Sequence, residues 1–465
     1  MVLKKIYKEF LMKIVGLIAE YNPFHNGHAY HIQKAKEITG ADYAVVIMSG
    51  DYVQRGTPAI MPKRLRADMA LHCGAAAVFE LPVCYATGSA ELFAFGAVSF
   101  LEQLGIVDTL CFGSECSDLK KLQTLANILL DEPDIYRSRL KACLKQGTPF
   151  PAARQNALAS CLHSTEDAAL LTHPNNILGI EYLKALRRLH SRIVPCTIQR
   201  KGAPYHQQTL HASHSSASAI RTLLTSACPD VSCTGKEAPL PSGKTICRNT
   251  AGPALSFGPV SGKAKTPPFS FEILRQKLNG QVPAYCMKQL QAYYNVAYPV
   301  TEDDFSLLLK YRLLQIPPSQ FSSYADVSEE LANRIVRQSD QFLRYAQFCN
   351  LLKTKEITRA RISRSLLHIL LDIKKDALED FLKNGPHFYA HLLGFRKDSA
   401  HILPAIAKKS RLPLLTKQRQ RDALSPIGQT MLLHDTFASN LYASVVTDKF
   451  HTAFENEFRQ AVQKI

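Results

Sequence analysis

Short apolar runs alternate with longer amphipathic segments along the first half of the chain. Each run has the length of a strand and lacks polar alternation, so it predicts a strand buried on both faces. Such strands separated by helices are typical of a parallel α/β sheet, which binds ligands beyond the carboxyl ends of its strands. The predicted strands are Ile14–Ile18, Tyr43–Met48, Ala77–Leu81, Val107–Phe112 and Ile193–Ile198. The predicted helices between them include His28–Thr39, Lys63–His72 and Glu91–Leu104.

The pattern changes in the second half of the chain. Residues 226–268 are rich in Pro, Gly, Ser, Lys and Thr, which predicts an exposed linker or a loop insertion. Residues 269–465 predict a mostly α-helical C-terminal domain with no convincing strand. Its clearest helical patterns are Asp326–Gln347, Arg361–Leu382 and Asp435–Val462. The rest of the predicted division is an N-terminal extension over 1–11 and an α/β catalytic domain over 12–225.

Composition narrows the class of protein. The 465 residues are 46% hydrophobic, which excludes a wholly disordered chain. The longest apolar stretch, Ala86–Leu101, is interrupted by Glu91 and is too short to cross a bilayer. A net charge of +17 favours a polyanionic partner, with nucleic acid ahead of an anionic membrane surface. The twelve cysteines include no Cys-x-x-Cys pair, which predicts buried thiols in a reducing cytoplasm and no structural zinc site.

The most informative segment is Gly16–His28, where the first strand meets the first helix. The helix opens near Gly27, and its first turn offers free backbone N–H groups and a positive dipole end to an anion. His25 and His28 are three residues apart, so both imidazoles can donate hydrogen bonds to phosphate oxygens there. The alternative is that the two histidines only cap the helix or lie on the surface.

A second segment, Ser215–Arg221, combines hydroxyl groups and an arginine at a helix start. These groups suit the β- and γ-phosphates of a nucleotide. A helix cap with a surface arginine explains them too.

The first segment resembles the HIGH motif of nucleotidyltransferases and class I aminoacyl-tRNA synthetases. The second resembles the SxTxIR element that closes the nucleotidyltransferase site. Further segments are similar to the bacterial tRNA(Met) cytidine acetate ligase family, and the resemblance covers most of residues 12–460 outside the linker. The segments that carry it are Val15–His31, Met48–Gly56, Phe112–Glu115, Pro174–Tyr182, Gln199–Arg200, Asp326–Ile335 and Thr358–Arg364.

The resemblance implies a Rossmann-like parallel sheet and an ATP-dependent ligase. Members of the family activate acetate as acetyl-adenylate and acetylate N4 of the wobble cytidine of elongator tRNA(Met). We therefore expect ATP with Mg²⁺, acetate and tRNA as partners, and neither DNA nor a membrane. The implied catalytic residues are His25, His28, Ser216 and Arg221. The implied ATP-binding residues are Ile18, Ala19, Glu20, Tyr21, Asn22, Pro23, Phe24, His25, Asn26, Gly27, His28, Ala29, Tyr30, His31, Gly113, Asn176 and Arg200.

Three of these residues lie outside the HIGH segment, and each has a structural alternative. Gly113 follows the fourth strand, where the backbone can approach a nucleotide, or it is an ordinary turn glycine. Asn176 can bind a nucleotide or cap a helix, and Asn175 competes for either role. Arg200 can pair with phosphate or lie on the surface.

Basic residues of the second half are the expected tRNA contacts, because lysine and arginine neutralise RNA phosphates. A solvated helix face is the alternative. The candidates are Lys353, Lys355, Arg359, Arg361, Arg364, Lys408 and Lys409.

Two other functions stay open at this point. One is a small-molecule adenylyltransferase, against which the basic helical half argues. The other is a non-catalytic RNA-binding protein with a nucleotidyltransferase fold, against which the intact histidine pair argues. Asp51 and Arg55 follow the second strand, where substrate contact and a simple turn explain them equally well.

Overall fold

The structure is a computed structural model that describes residues 12–162, 164–200, 216–226 and 269–465. The expected extension over 1–11 and nearly all of the expected linker lie outside the described residues. Among these residues, no helix is long and apolar enough to cross a membrane.

One eight-stranded sheet forms the centre of the molecule. The strands of the described residues are Ile14–Ala19 (β1), Tyr43–Ser49 (β2), Tyr52–Val53 (β3), Thr57–Pro58 (β4), Ala77–Leu81 (β5), Thr109–Ser114 (β6), Val194–Gln199 (β7), Ala390–Phe395 (β8), Leu414–Leu415 (β9) and Gln463–Lys464 (β10). The sheet has the order β10-β8-β5-β2-β1-β6-β7, with β9 paired to β8, and β3 and β4 form a separate hairpin. The five neighbouring strands β5, β2, β1, β6 and β7 are mutually parallel, and β8 runs antiparallel to β5. This arrangement confirms the α/β class.

The expectation that the second half contains no strand is wrong at β8, β9 and β10, of which β8 is the longest. Its residues Ala390, Leu392 and Leu393 are fully buried, because the strand lies beside β5 inside the shared core. Gly394 lacks a side chain where a Cβ would lie 2.7 Å from Leu71 Cδ1, so a helix of the first half packs closely on the strand.

Helices cover both faces of the sheet and form most of the second half. In the first half they are Asn26–Thr39 (α1), Lys63–His72 (α2), Val83–Ala86 (α3), Ala90–Leu104 (α4), Leu119–Asp131 (α5), Asp134–Lys145 (α6), Phe150–Leu162 (α7), Thr165–Ala169 (α8), Pro174–Arg188 (α9) and Ala217–Ser226 (α10). In the second half they are Phe269–Leu278 (α11), Ala284–Tyr293 (α12), Ser306–Gln315 (α13), Glu329–Gln338 (α14), Tyr345–Leu351 (α15), Arg359–Leu371 (α16), Lys375–Lys383 (α17), Ile402–Lys409 (α18) and Pro426–Phe450 (α19).

The three long helices expected in the second half have different bounds in the structure. Asp326–Gln347 contains α14 and the start of α15. Arg361–Leu382 is divided between α16 and α17 at Asp372, whose φ is 58°. The expected helix Asp435–Val462 begins earlier and ends at Phe450, before His451 with a φ of 54°. A left-handed residue ends a helix even where the apolar periodicity continues.

The sheet topology fixes where a ligand can bind. β1 lies between β2 and β6, and the chain leaves β1 toward β2 on one side and returns to β6 on the other. The carboxyl ends of β1 and β6 therefore border the crevice at which open α/β sheets bind ligands.

Candidate active site

A cavity of about 340 Å³ opens at the carboxyl ends of β1 and β6. This volume lies within the usual range of small-molecule sites. Of the residues expected to bind ATP, the cavity is lined by Ile18, Ala19, Glu20, Tyr21, Asn22, His25, Gly27, His28, Tyr30, His31, Gly113 and Arg200. Ser216 and Arg221 line it as well. The two sequence segments thus meet in one site.

His25 and His28 stack on each other at the mouth of α1. Their ring centroids are 3.8 Å apart, with an angle of 24° between the planes. His25 is the N-cap of α1, and its Nδ1 accepts a hydrogen bond of 3.0 Å from the backbone N–H of Gly27. His28 Nδ1 accepts one of 3.3 Å from the backbone N–H of His25. Since each Nδ1 is an acceptor, each neutral ring carries its proton on Nε2 and can donate it.

The environment keeps the histidines of α1 neutral. Burial is the main reason why the pKa of His28 lies well below its usual value, and the nearby His25 and Arg200 lower it further. Burial also lowers the pKa of His31 to about 4, against a hydrogen bond to the backbone of Cys111. Gly27 is needed here, because a Cβ would lie 2.8 Å from His25 Cε1.

The start of α10 lies against the turn that joins β1 to α1, here called the HIGH turn, and closes the cavity there. Arg221 Nη1 donates to the carbonyl of Asn22 over 2.6 Å, and its Nη2 donates to Ser218 Oγ over 3.0 Å. Ser216 Oγ accepts from the N–H of Ala219 over 3.1 Å. Arg221, which binds the HIGH turn to this helix, also lines the cavity. Its guanidinium therefore lies at the same cavity as the imidazoles of His25 and His28.

The opposite wall is formed by the ends of β6 and β7. A Cβ on Gly113 would lie 3.1 Å from Arg200 Cγ, so the glycine leaves room for that side chain. Asn176 is fully buried outside the cavity lining, and its Oδ1 accepts from the backbone N–H groups of Glu115 and Cys116 over 2.9 and 3.2 Å. Asn175 lines the cavity in its place.

Four residues of the HIGH segment also lie outside the lining. Phe24 is fully buried, and its ring centroid lies 5.5 Å from that of His28. Asn26 donates from Nδ2 to the carbonyl of Gly280 over 2.7 Å, which joins the start of α1 to the second half. Pro23 and Ala29 complete this set.

Arg66 supports the site although the sequence pattern gave no sign of it. The side chain is fully buried in α2, and its guanidinium donates to the carbonyls of Glu20, Ser49, Gly50 and Met61. It therefore holds the carboxyl ends of β1 and β2 together. Gln54 and Arg55, which follow β3, also line the cavity.

A second group of buried charges lies at the carboxyl end of β5. Ligand atoms of Glu80, His391 and Glu457 lie within 4.8 Å of one another, the arrangement of a possible cation site. Lys63 Nζ already lies 2.7 Å from Glu80 and 3.2 Å from Glu457. Burial raises the pKa of Glu80, but Lys63 and His391 outweigh it and bring that pKa down to about 2. The ammonium group occupies the place of a cation, so we assign no metal to this group.

The basic residues of the second half fall into paired and exposed classes. Arg359 pairs with Glu302, and Arg364 pairs with Asp326 over 2.7 Å. The exposed ones are Lys353, Lys355, Arg361, Lys408 and Lys409.

The two basic groups lie at different distances from the cavity. α16 packs on the β3–β4 hairpin, where Ser363 Oγ donates to the carbonyl of Gly56 over 2.8 Å, two residues from Gln54 in the cavity wall. Lys409 lies against Gly105, just beyond the end of α4, whereas Ala90 at the start of α4 lines the cavity. A helix of this length spans about 21 Å.

Comparison with known proteins agrees with this geometry. A family model described as HIGH Nucleotidyl Transferase matches residues 12–457. The tRNA(Met) cytidine acetate ligase of Thermoanaerobacter sp. (strain X514) is 39% identical over 93% of this chain and 95% of its own. That of Acetivibrio thermocellus is 36% identical over 97% and 99%.

Two solved structures are similar along the whole chain. Thermotoga maritima TmcAL bound with alpha-thio ATP matches with a TM-score of 0.80 and 29% identity, over 98% of this chain and 100% of that one. The apo form of the same protein matches with a TM-score of 0.83 and 30% identity at the same coverage.

Proposed function

Since this chain belongs to the tRNA(Met) cytidine acetate ligase family of HIGH nucleotidyl transferases, we propose that it activates acetate with ATP and acetylates N4 of the wobble cytidine of elongator tRNA(Met). The cavity at β1 and β6 is the site of both steps. The observation that carries the proposal is the stacked pair His25 and His28, which lines a cavity of nucleotide size with both rings protonated at Nε2.

The first step is in-line attack of an acetate oxygen on the α-phosphate of ATP. Acetyl-adenylate forms, and the bond to the β-phosphate breaks to release pyrophosphate. The Nε2–H groups of His25 and His28 stabilise the charge that develops on the phosphate oxygens. Arg221 and Ser216 adjoin the same part of the cavity and suit the β- and γ-phosphates. Arg200 and Gly113 form the opposite wall, where the nucleoside has space.

Mg²⁺ bound to the triphosphate fits this set of residues. Magnesium at nucleotide sites is held mainly by phosphates and water, with one or two carboxylates from the protein. In this cavity the triphosphate and water would hold the ion, beside Ser216 and Arg221. The ion would neutralise charge on the leaving pyrophosphate.

The second step transfers the acetyl group from the adenylate to the cytidine amine. The wobble base lies in a stacked anticodon, so it must be unstacked to enter the cavity. We place the anticodon arm near the β3–β4 hairpin, against which α16 packs. Arg361 is exposed on this helix beside the paired Arg359 and Arg364, and the exposed Lys353 and Lys355 precede it along the chain. Lys408 and Lys409 would contact a more distant part of the tRNA.

The test is direct. The chain is incubated with ATP, isotopically labelled acetate and bulk bacterial tRNA, and the tRNA nucleosides are analysed by mass spectrometry. We expect labelled N4-acetylcytidine that depends on both ATP and acetate. A reaction without ATP, or label only in a small-molecule product, would contradict the proposal.

A further inference from the structure

Acetyl transfer needs an acceptor for a proton. The cytidine amine carries two protons and is weakly nucleophilic, because its lone pair is delocalised into the ring. As its nitrogen bonds to the acetyl carbonyl carbon, one proton must leave. A positioned base typically accelerates such a step by 10² to 10⁴-fold. This inference rests on the proposed function and concerns the identity of that base.

The histidines of the cavity are poorly suited to accept this proton. His25 and His28 use Nδ1 as an acceptor for backbone N–H groups, so their Nε2 atoms are donors. His31 Nε2 has no hydrogen-bond partner in the structure, but this atom is buried away from the surface of the cavity. A substrate amine could not reach it.

Glu20 has the required chemistry and place. It is the only carboxylate among the described residues that line the cavity. Its Oε1 accepts a hydrogen bond of 2.9 Å from the backbone N–H of Gln54, and its own carbonyl accepts one of 2.6 Å from Arg66 Nη1. The backbone and one carboxylate oxygen of Glu20 are thus both fixed, while Oε2 carries no hydrogen bond to any described residue.

Glu20 also lies on the side from which RNA would arrive. Gln54, its partner, belongs to the β3–β4 hairpin, and Gly56 of the same hairpin contacts the backbone of Ser363 and Arg364 in α16. The exposed Arg361 lies one turn from that contact. Glu20 therefore lines the cavity on the side that the hairpin connects to α16.

We propose that Glu20 Oε2 is the general base that takes the N4 proton during acetyl transfer. The amine lone pair forms the N–C bond to the acetyl group. The C–O bond between the acetyl group and the AMP phosphate breaks, and its electron pair leaves with AMP. The proton passes from N4 to Glu20 and then to water. Acetate activation needs no such base, since acetate is already ionised.

The experiment separates the two steps in the Glu20→Gln variant of the full-length protein. Acetate-dependent ATP–pyrophosphate exchange reports the first step. Hydroxylamine reports whether the adenylate is competent, because it is a free amine at neutral pH and attacks acetyl-adenylate without a base. Formation of N4-acetylcytidine in tRNA reports the second step. Glu37→Gln, which changes an exposed carboxylate on α1, is the matched control.

For Glu20→Gln we expect exchange, hydroxamate formation and tRNA affinity within about threefold of the wild type, and acetylcytidine formation at least 100-fold slower. Glu20→Asp keeps a carboxylate that is one methylene shorter, so we expect transfer at least tenfold faster than in Glu20→Gln.

Three results would overturn the inference. The first is near-normal tRNA acetylation in Glu20→Gln. The second is an equal loss of exchange and transfer in that variant, which would assign Glu20 to ATP and its magnesium. The third is an identical transfer rate in Glu20→Gln and Glu20→Asp. Failure of the proposed function is a separate result, since the wild-type protein would then make no acetylcytidine at all.

Discussion

His25 combines a structural and a chemical function that one substitution can separate. Its Nδ1 caps α1, and we assign its Nε2–H to the phosphate of ATP. Asparagine is a good N-cap but lacks the imidazole donor, so His25→Asn should retain the helix start and lose the catalytic group. We expect a melting temperature within a few degrees of the wild type and acetate-dependent adenylation about 10² to 10³-fold slower. Unfolding followed by circular dichroism, together with pyrophosphate exchange, checks both. Adenylation near the wild-type rate would refute the role of the ring.

His31 makes the fold sensitive to acid in a predictable direction. The pKa of His31 is about 4 in the folded protein and about 6.5 in an unfolded chain, so the unfolded state binds more protons between these values. Stability therefore falls as the pH falls through this window. The free energy of unfolding of the wild type should fall between pH 7 and pH 5. In His31→Asn we expect this fall to be smaller by about 1 to 2 kcal/mol. Urea denaturation at both pH values measures this, and equal losses would contradict it.

At the residue scale, local sequence signals predicted some of the site and missed the rest. The HIGH segment was recognisable because strand end, turn and helix cap follow one another directly along the chain. Asn175 and Asn176 could not be distinguished, since one residue of helix rotation decides which of them faces the cavity. Arg66 resembles any arginine of an amphipathic helix, and only the four surrounding carbonyls reveal its role.

At the element scale, Arg66 fastens the ends of β1 and β2. Arg66→Met removes the guanidinium and leaves buried carbonyls without donors, which is costly where water cannot replace them. We expect the free energy of unfolding to drop by about 3 kcal/mol or more. Arg187→Met breaks an exposed ion pair with Asp131 and should cost less than about 1 kcal/mol. Denaturant midpoints of both variants provide the comparison, and equal losses would show that the strand ends do not depend on Arg66.

Element type was easier to predict than element pairing. The five parallel strands were each predicted, because a run of buried apolar residues is a local signal. β8 was not predicted, because it pairs with residues about 300 positions away along the chain. Gly394 of β8, for example, pairs with Val78 of β5. Helix ends at Asp372 and His451 were missed for a different reason, since neither position carries the glycine that usually marks a left-handed helix end.

At the scale of the whole molecule, two exposed basic groups should contribute differently to RNA binding. Arg361 is on α16, which packs on the hairpin at the cavity, and Lys355 precedes this helix by four residues, whereas Lys408 and Lys409 lie beyond the far end of α4. In the double variant Lys355→Glu, Arg361→Glu, we expect the affinity of the protein for both an anticodon stem–loop and whole tRNA to fall at least tenfold. Lys408→Glu with Lys409→Glu should weaken whole tRNA only.

Binding is measured by titration over a range of salt concentrations. Each lost phosphate contact should reduce the slope of log K against log salt by roughly 0.7 to 0.9. Acetate-dependent adenylation without RNA should be unchanged in both double variants. If the stem–loop responded equally to the two, the anticodon arm would not lie where we place it.

The two halves of the chain are joined around one sheet. β8 and β10 come from the second half, and Gly280 and Gly56 connect the halves at the HIGH turn and at the hairpin. The surface we assign to RNA is thus continuous with the wall of the cavity, which suits a reaction that brings a base of a large RNA to a small adenylate.

The most direct measurement of the central claim is ATP–pyrophosphate exchange by the purified chain, with and without acetate and bulk tRNA. The account predicts exchange that requires acetate in the wild type and is lost in His25→Asn. Exchange that proceeds without acetate, or that a phosphorylated metabolite supports in its place, would contradict it.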